Sequence, residues 1–266
     1  MSLRPHWTRH LEKICSCLVQ APSVLIASDF DGTLAQIMDC PSRAVLSSEA
    51  QMVIKSLATL HPRVRLAFLS GRSLADLASR LPIAQENIVL AGNHGLEMSG
   101  AGLDWMHPSS AQNRPQIEAL VTQLQSLAGG IEGAMIEDKG LGLTLHYRGV
   151  ASADLPRLHA AVLQMVLPAG IRRADGKKVV EFRPQVDWHK GHALRRIQQH
   201  FDIASESTVF LGDDVTDEDA FRELNSRGIT LHVGLESAAS FAGLHARHPE
   251  DAVQFLRAVS LMLGAS

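Results

Sequence analysis

The chain has 266 residues, 45% of them hydrophobic and 20% charged, with 25 Lys and Arg against 28 Asp and Glu and a formal net charge of −3. That length suits one large domain or two modest ones with a real core, and the absence of a basic run argues against nucleic acid as a partner. Three cysteines, Cys15, Cys17 and Cys40, with no CxxC pair, argue against a disulfide framework or a cysteine-built zinc site.

Aromatics are only 5%, so the core must rest on Leu, Val, Ile and Ala. The first residues carry Arg4, His6, Arg9, His10, Glu12 and Lys13 and lack the apolar stretch of a secretory signal. No segment approaches the roughly 18 to 20 unbroken apolar residues that span a bilayer. A soluble cytoplasmic protein with no membrane partner is the expectation.

Val24 to Ala27 is a short apolar run that stops at Ser28-Asp29, as a buried strand ending in a polar loop does. Ser48 to Leu60 has a helical pattern: Ser48 and Gln51 fit a capping box, and Val53, Ile54, Leu57 and Leu60 share a face. Val64 to Leu69 is a second buried strand, ending in Ser70-Gly71-Arg72. Ser73 to Leu81 follows as a short helix. Ile88 to Ala91 is a third strand, ending in Gly92-Asn93-His94-Gly95. Strand and helix in alternation predict a parallel sheet covered on both faces, with ligands at the carboxyl ends of its strands.

The pattern then changes. Pro115 to Ala128 reads as a helix, and Ala134 to Lys139 and Leu141 to Arg148 as strands with Gly140 near their turn. The second strand alternates: Leu141, Leu143, Leu145 and Tyr147 on one face, Thr144, His146 and Arg148 on the other. Leu155 to Val166 is a helix, Asp175-Gly176 a hairpin turn signal, and Lys178 to Arg183 a strand. After Pro184 the first pattern returns, with a helix from His189 to Phe201, a strand from Thr208 to Leu211, a helix from Asp217 to Leu224, a strand from Ile229 to Val233 and a helix from Ala252 to Leu263. The reading is one α/β core, residues 1–112 and 184–266, split by an inserted α+β unit at 113–183, with linkers at Ser109 to Pro115 and Arg183 to Trp188.

Four motifs sit at strand ends or helix starts. Asp29-Phe30-Asp31-Gly32-Thr33-Leu34 puts two carboxylates where both reach one cation or phosphate, and hard oxygen donors of this kind suit Mg²⁺. A carboxylate held there can attack phosphorus, and a neighbouring carboxyl can pass a proton to the leaving oxygen and recover one from water. The plain alternative is an Asp-Gly turn. Ser70-Gly71-Arg72 offers a hydroxyl and free amides before a helix, either a phosphate site or a simple cap. Lys190-Gly191 offers a compact positive charge for a phosphoryl group. Gly212-Asp213-Asp214-Val215-Thr216-Asp217-Glu218-Asp219 is an acidic cluster that needs a cation or a helix N-terminus to offset it.

In that order the four motifs resemble the haloacid-dehalogenase phosphatase superfamily. The resemblance implies a Rossmann-like parallel-sheet core with an inserted α+β cap of the C2 type that closes over the site. It implies Asp29 as nucleophile and Mg²⁺ ligand. Asp31 becomes general acid and base, meeting the metal through its main-chain carbonyl. Ser70 holds the phosphoryl oxygens, Lys190 stabilises charge, Asp213 is a further Mg²⁺ ligand, and Asp214 and Asp217 stand close behind.

Finer features look like the trehalose-6-phosphate phosphatase family: Gly92-Asn93-His94-Gly95-Leu96-Glu97, Glu137-Asp138-Lys139 with His146-Tyr147-Arg148, and Gly176-Lys177-Lys178-Val179-Val180-Glu181-Phe182-Arg183-Pro184 before Lys190-Gly191. This similarity runs from about Ser23 to Val233 and implies trehalose 6-phosphate as substrate, with Glu137, Lys139, Lys177 and Glu181 gripping the distal glucose. Gly71, Arg72, Asn93, His94 and Arg148 complete the substrate set. Strand periodicity puts Glu137 and Lys139 on one face, and Lys177, Glu181 and Arg183 on one face, where carboxylate and ammonium pairs suit sugar hydroxyls or else make ordinary surface ion pairs. The nearest rival is the same chemistry on sucrose 6-phosphate or on mannosyl- or glucosyl-3-phosphoglycerate. A non-catalytic sugar-phosphate-binding regulator and a phosphomutase are the rivals from other classes. A small-molecule substrate and a monomer complete the expectations.

Overall fold

The computed structural model describes residues 4–176, 178–235 and 240–265. Its strands in chain order are β1 (Val24–Ser28), β2 (Val64–Leu69), β3 (Ile88–Gly92), β4 (Glu97–Gly100), β5 (Leu103–Met106), β6 (Met135–Asp138), β7 (Leu143–His146), β8 (Ile171–Gly176), β9 (Val179–Pro184), β10 (Thr208–Gly212), β11 (Ile229–Val233) and β12 (Leu244–Ala246). The helices are α1 (Leu11–Gln20), α2 (Ser48–Thr59), α3 (Leu74–Arg80), α4 (Pro108–Gln112), α5 (Arg114–Ala128), α6 (Leu155–Gln164), α7 (Lys190–Phe201), α8 (Glu218–Leu224) and α9 (Pro249–Gly264). The chain divides into two compact units, Met1–Trp105 with Trp188–Ser266, and Met106–Asp187.

The first unit is built on an eight-stranded sheet in the order β12-β11-β10-β1-β2-β3-β4-β5. The strands from β12 to β3 pair in parallel, and β4 turns antiparallel to β3. Every residue of β1 is buried, as a central strand covered on both faces requires. The period of two then sorts its side chains. Val24 and Ile26 join Leu66, Phe68, Val209 and Leu211 under Leu18 of α1, Val53 and Ile54 of α2 and Phe255 of α9. Leu25 and Ala27 join Ala67, Leu69 and Phe210 under Ala193, Leu194 and Ile197 of α7 and Phe221 of α8. Because β10, β1, β2 and β3 are adjacent and parallel, the loops that follow them leave one edge of the sheet side by side.

The second unit is a four-stranded antiparallel sheet, β6-β7-β9-β8. Leu143, Leu145, Val180 and Phe182 are buried with Ile117, Leu120 and Leu124 of α5 and Leu158 and Val162 of α6. The alternation of β9 is visible as Val180, Phe182 and Pro184 buried and Glu181 and Arg183 half-buried. Thr144 of β7 pairs in register with Glu137 on one side and Glu181 on the other, so the three lie in one row.

Several local expectations need correction. The stretch from Ser109 to Pro115 is no linker: α4 and the start of α5 occupy it, because Pro108 and Pro115 each sit in a first turn, where a missing N–H costs nothing, and the His107 ring caps α4 by accepting from Ser109 N. The cap of α2 is Ser47, whose Oγ accepts from Ala50 N, and Gln51 instead donates to Leu46 O, so the helix starts one residue earlier than the box at Ser48 implies. Asp175 and Gly176 belong to β8, with Gly176 paired to Val179, and Lys178 takes the left-handed turn conformation at φ 66°. The short strands β4, β5, β8 and β12 and the helix α1 carry weak local patterns and are held by their neighbours.

Candidate active site

The carboxyl edge of the first unit's sheet collects the charged residues. Asp29 follows β1 directly, its amide bonded to Leu211 O of β10 at 2.9 Å, and it is 7% exposed. Lys190, the first residue of α7, is 1% exposed. Its Nζ lies 3.0 Å from Asp29 Oδ2 and donates to Asp217 Oδ1 at 2.7 Å. Asp217 is fully buried; its second oxygen accepts from the amides of Asp213 and Asp214, both at 3.0 Å. Asp213 Oδ1 accepts from the Thr33 hydroxyl at 3.1 Å. Asp214 caps the following turn, its Oδ1 accepting from Val215 N. Gly32 has φ +79°, and a Cβ there would stand 2.2 Å from Asp213 Oδ2, so only glycine lets the Asp29–Thr33 loop close against Asp213.

Burial pushes the Asp29 carboxyl well above its ordinary range; Lys190 pulls the other way, and the neighbouring charges of Asp217, Asp213 and Asp31 push it up again. Burial would lower the Lys190 ammonium, but Asp217 and Asp29 outweigh it and hold it above its usual value. Oxygens of Asp29, Asp213 and Asp217 lie within 4.8 Å of one another. Three carboxylates thus face one ammonium, a deficit of positive charge that a hard divalent cation fits. Both oxygens of Asp217 are engaged, by Lys190 and two amides, and so are both of Asp29, by Lys190 and the Phe30 amide, so the three-carboxylate cluster as a whole is the candidate cation site.

Asp31 stands apart from that cluster. Its two oxygens accept from Arg72 Nε at 2.6 Å and Nη2 at 2.7 Å. Ser70, at the end of β2, is buried and its Oγ accepts from Arg72 N. The loop after β3 is stitched to this one: Asn93 N donates to Arg72 O at 2.7 Å and His94 N to Ser70 O at 2.9 Å. Asn93 and His94 hold φ of 50° and 58°, uncommon for side-chain-bearing residues and supported here by those two bonds and by Asn93 Nδ2 donating to Glu97 Oε1. The His94 ring lies over Gly71, where a Cβ would meet its Cε1 at 2.8 Å. So Ser70, Gly71, Arg72, Asn93 and His94 form one continuous group. Trp188 joins it by donating to Gly95 O at 2.8 Å and packing on Trp105, with ring centroids 4.6 Å apart.

The second unit holds its own polar face. His146 Nε2 lies 2.8 Å from Glu137 Oε2. Lys139 Nζ is 3.8 Å from Glu181 Oε1, and Arg183 Nη1 is 3.8 Å from Glu181 Oε2. Arg148 sits on the exposed turn after β7, and Lys177 lies outside the described residues. Thr33, Glu97, His146 and Trp188 were given no role by sequence reasoning. The first three lie inside motifs that were read, but only their partners reveal what they do.

The fold of the core is that of haloacid-dehalogenase-like hydrolases: a solved protein so described from Bacteroides thetaiotaomicron superposes at TM-score 0.61 and 14% identity, over 88% of this chain and 98% of that one. The C-terminal domain of C. albicans trehalose-6-phosphate phosphatase superposes at TM-score 0.78 and 22% identity over 99% of each chain. Within that class, the trehalose-phosphatase family model matches residues 27–250, and this chain belongs to that family. A trehalose-phosphate phosphatase of Mycobacterium marinum is 35% identical over 237 residues; the match takes in 88% of this chain but 59% of that relative's length. Among the described residues no helix is long and apolar enough to cross a membrane.

Proposed function

We propose that this chain is a Mg²⁺-dependent phosphatase that hydrolyses trehalose 6-phosphate through an aspartyl-phosphate on Asp29. The observation that carries the reading is the bridge of Lys190 between Asp29 and Asp217 beside Asp213, at the sheet edge of a trehalose-phosphatase family member. The residues suit the steps. Asp29 attacks phosphorus as the bond from phosphorus to the sugar oxygen breaks, and Asp31 supplies that oxygen's proton. Water then attacks the acyl phosphate, returns a proton to Asp31 and frees Asp29 and inorganic phosphate. Ser70 and the amides beside it receive phosphoryl oxygens, and Lys190 offsets the charge around Asp29. Asp29 and Asp213, with the main-chain carbonyl of Asp31, would hold Mg²⁺, which supplies electrostatic stabilisation of the transferring phosphoryl group. Asp217 orients Lys190 and the Asp213–Asp214 amides.

In this reading the second unit is the specificity unit. Glu137, Lys139 and Glu181, with Lys177 and Arg148, supply donors and acceptors for glucose hydroxyls. Asn93 and His94 belong to the phosphate-side loop. The test is phosphate release from trehalose 6-phosphate in parallel with sucrose 6-phosphate, glucose 6-phosphate and mannosyl-3-phosphoglycerate, with Mg²⁺ and with EDTA. Preferred, EDTA-sensitive release from trehalose 6-phosphate is expected, and Asp29→Asn should abolish it while keeping the fold. Full activity in EDTA would refute the metal role. Preference for another ester would overturn the roles given to Glu137, Lys139, Lys177 and Glu181 and leave Asp29 in place.

A further inference from the structure

Arg72 is buried, with a side chain 6% exposed. Its Nε and one Nη2 hydrogen grip Asp31 side-on, Nη2 also donates to Pro41 O at 2.8 Å, and Nη1 donates to Asp76 Oδ2. Four of the five N–H donors of the guanidinium are thereby used within the chain. The Phe30 ring lies under it, with the centroid 5.6 Å from Cζ. Asp76, in the first turn of α3, is itself held by Arg80, whose Nε and Nη2 donate to its two oxygens at 3.0 and 2.7 Å. Arg80 Nη1 in turn donates to the carbonyls of Ser42 and Ala44. The plane of Arg72 is therefore fixed by a helix, by the segment from Pro41 to Ala44 and by an aromatic face. A planar fork so fixed transmits its orientation to a carboxylate it binds side-on, which a lysine, a point charge on a flexible stem, does not.

Asp31 has need of such a partner. Its side chain is 34% exposed, on a loop two residues past Asp29. A side chain that exposed samples several rotamers unless something holds it, and a group that moves protons must be held within about 0.5 Å of its working position.

We propose that Arg72 is a positioning residue for Asp31, fixing the orientation of the carboxylate that takes the proton from water when the aspartyl-phosphate is hydrolysed, rather than a contact for the sugar phosphate. This rests on the reading of Asp31 as the acid and base and of Asp29 as the phosphorylated group. Both Asp31 oxygens accept hydrogen bonds from the fork, and the step in which Asp31 accepts is the second one. In that step the water oxygen bonds to phosphorus, the bond from phosphorus to Asp29 breaks, and the water proton goes to Asp31.

The test uses the full chain with Mg²⁺. The enzyme is loaded with 32P-labelled p-nitrophenyl phosphate, acid-quenched, and the decay of protein-bound label is timed, alongside steady-state kinetics on trehalose 6-phosphate. Arg72→Lys should slow the decay by about ten- to a hundredfold, a fraction of what a general base contributes, so that labelled enzyme accumulates. kcat/KM for trehalose 6-phosphate should stay within about threefold, because it reports the steps up to phosphorylation of Asp29, while kcat and KM fall together as the labelled enzyme accumulates. Asp31→Asn should slow the decay further, and Asp31→Asn with Arg72→Lys should decay no more slowly than Asp31→Asn alone, because the pair acts as one unit. A tenfold rise in KM with unchanged decay would make Arg72 a substrate contact and overturn the proposal. Equal slowing by Arg72→Lys with and without Asp31 would overturn it too. If Asp31→Asn leaves the decay unchanged, or no variant carries label, the underlying reading fails and this inference falls with it. Should Arg72→Lys not fold, Asp76→Asn, which removes one side of the clamp, should slow the decay in the same direction by a smaller factor; no slowing there counts against the clamp.

Discussion

Lys190→Met keeps the length and apolar stem of the side chain and deletes its charge. The ammonium it removes lies 3.0 Å from Asp29 and 2.7 Å from Asp217, at a site where Asp217 is 0% exposed. Deleting one member of a buried ion pair costs about 3–5 kcal/mol, because the partner charge stays buried with nothing to offset it. Adding Asp217→Asn removes one of the stranded charges and should restore at least about 1 kcal/mol of that loss. The assay is urea unfolding followed by circular dichroism in EDTA, comparing midpoints at matched slopes. The pH dependence has a definite sign. The folded Asp29 carboxyl is raised above its unfolded value near 3.9, so the stability it contributes is complete below that pH and is lost as pH rises through the folded value. Without Lys190 the rise is larger, and the penalty of the variant should be smaller at pH 5 than at pH 8. Turnover should fall about 10²- to 10³-fold, as for loss of one preorganised charge contact, and Asp217→Asn should not restore it. A stability loss under about 1 kcal/mol, with no change between the two pH values, would refute the charge balance described for this site.

Gly32→Ala places a Cβ 2.2 Å from Asp213 Oδ2 and forces a side chain into φ +79°; Mg²⁺ titration of activity should show at least about tenfold weaker apparent affinity, and an unchanged titration would mean that Asp213 is no ligand. Asp251→Asn probes the N-terminal anchor. Burial raises this carboxyl, but the Arg247 amide, His6 and Trp7 outweigh it and hold it below the ordinary value. Its stabilisation is therefore present above about pH 4 and is lost as pH falls through the folded value. The variant should lose about 1–3 kcal/mol at pH 7 and differ little from wild type near pH 2; a constant difference contradicts the account of a carboxylate held by these hydrogen bonds. Glu181→Ala removes the carboxylate between Lys139 and Arg183; hydrolysis of p-nitrophenyl phosphate should persist while that of trehalose 6-phosphate falls about tenfold or more, and equal losses on both would assign Glu181 to structure.

Periodicity and punctuation alone determined the alternation of apolar strands and helices, the change to an alternating α+β pattern in the middle of the chain, and the four polar motifs at strand ends and helix starts. Those signals are local: they depend on neighbours two to four residues away, which the linear order contains. That Asp29, Ser70 and Asp213 lie at one edge was also legible, because they follow the adjacent parallel strands β1, β2 and β10; the approach of Lys190 to Asp29 rests on the packing of α7. Tertiary structure alone decided who pairs with whom. It made Asp217 the partner of Lys190 across 27 residues and Arg72 the partner of Asp31 across 41, laid the His94 ring over Gly71, and turned Ser109 to Pro115 from a linker into helix. Such pairings follow from which buried charges and donors the packed core brings within 3 Å and shields from water, where a buried polar group must find a partner. Separations of that length leave no periodic trace along the chain.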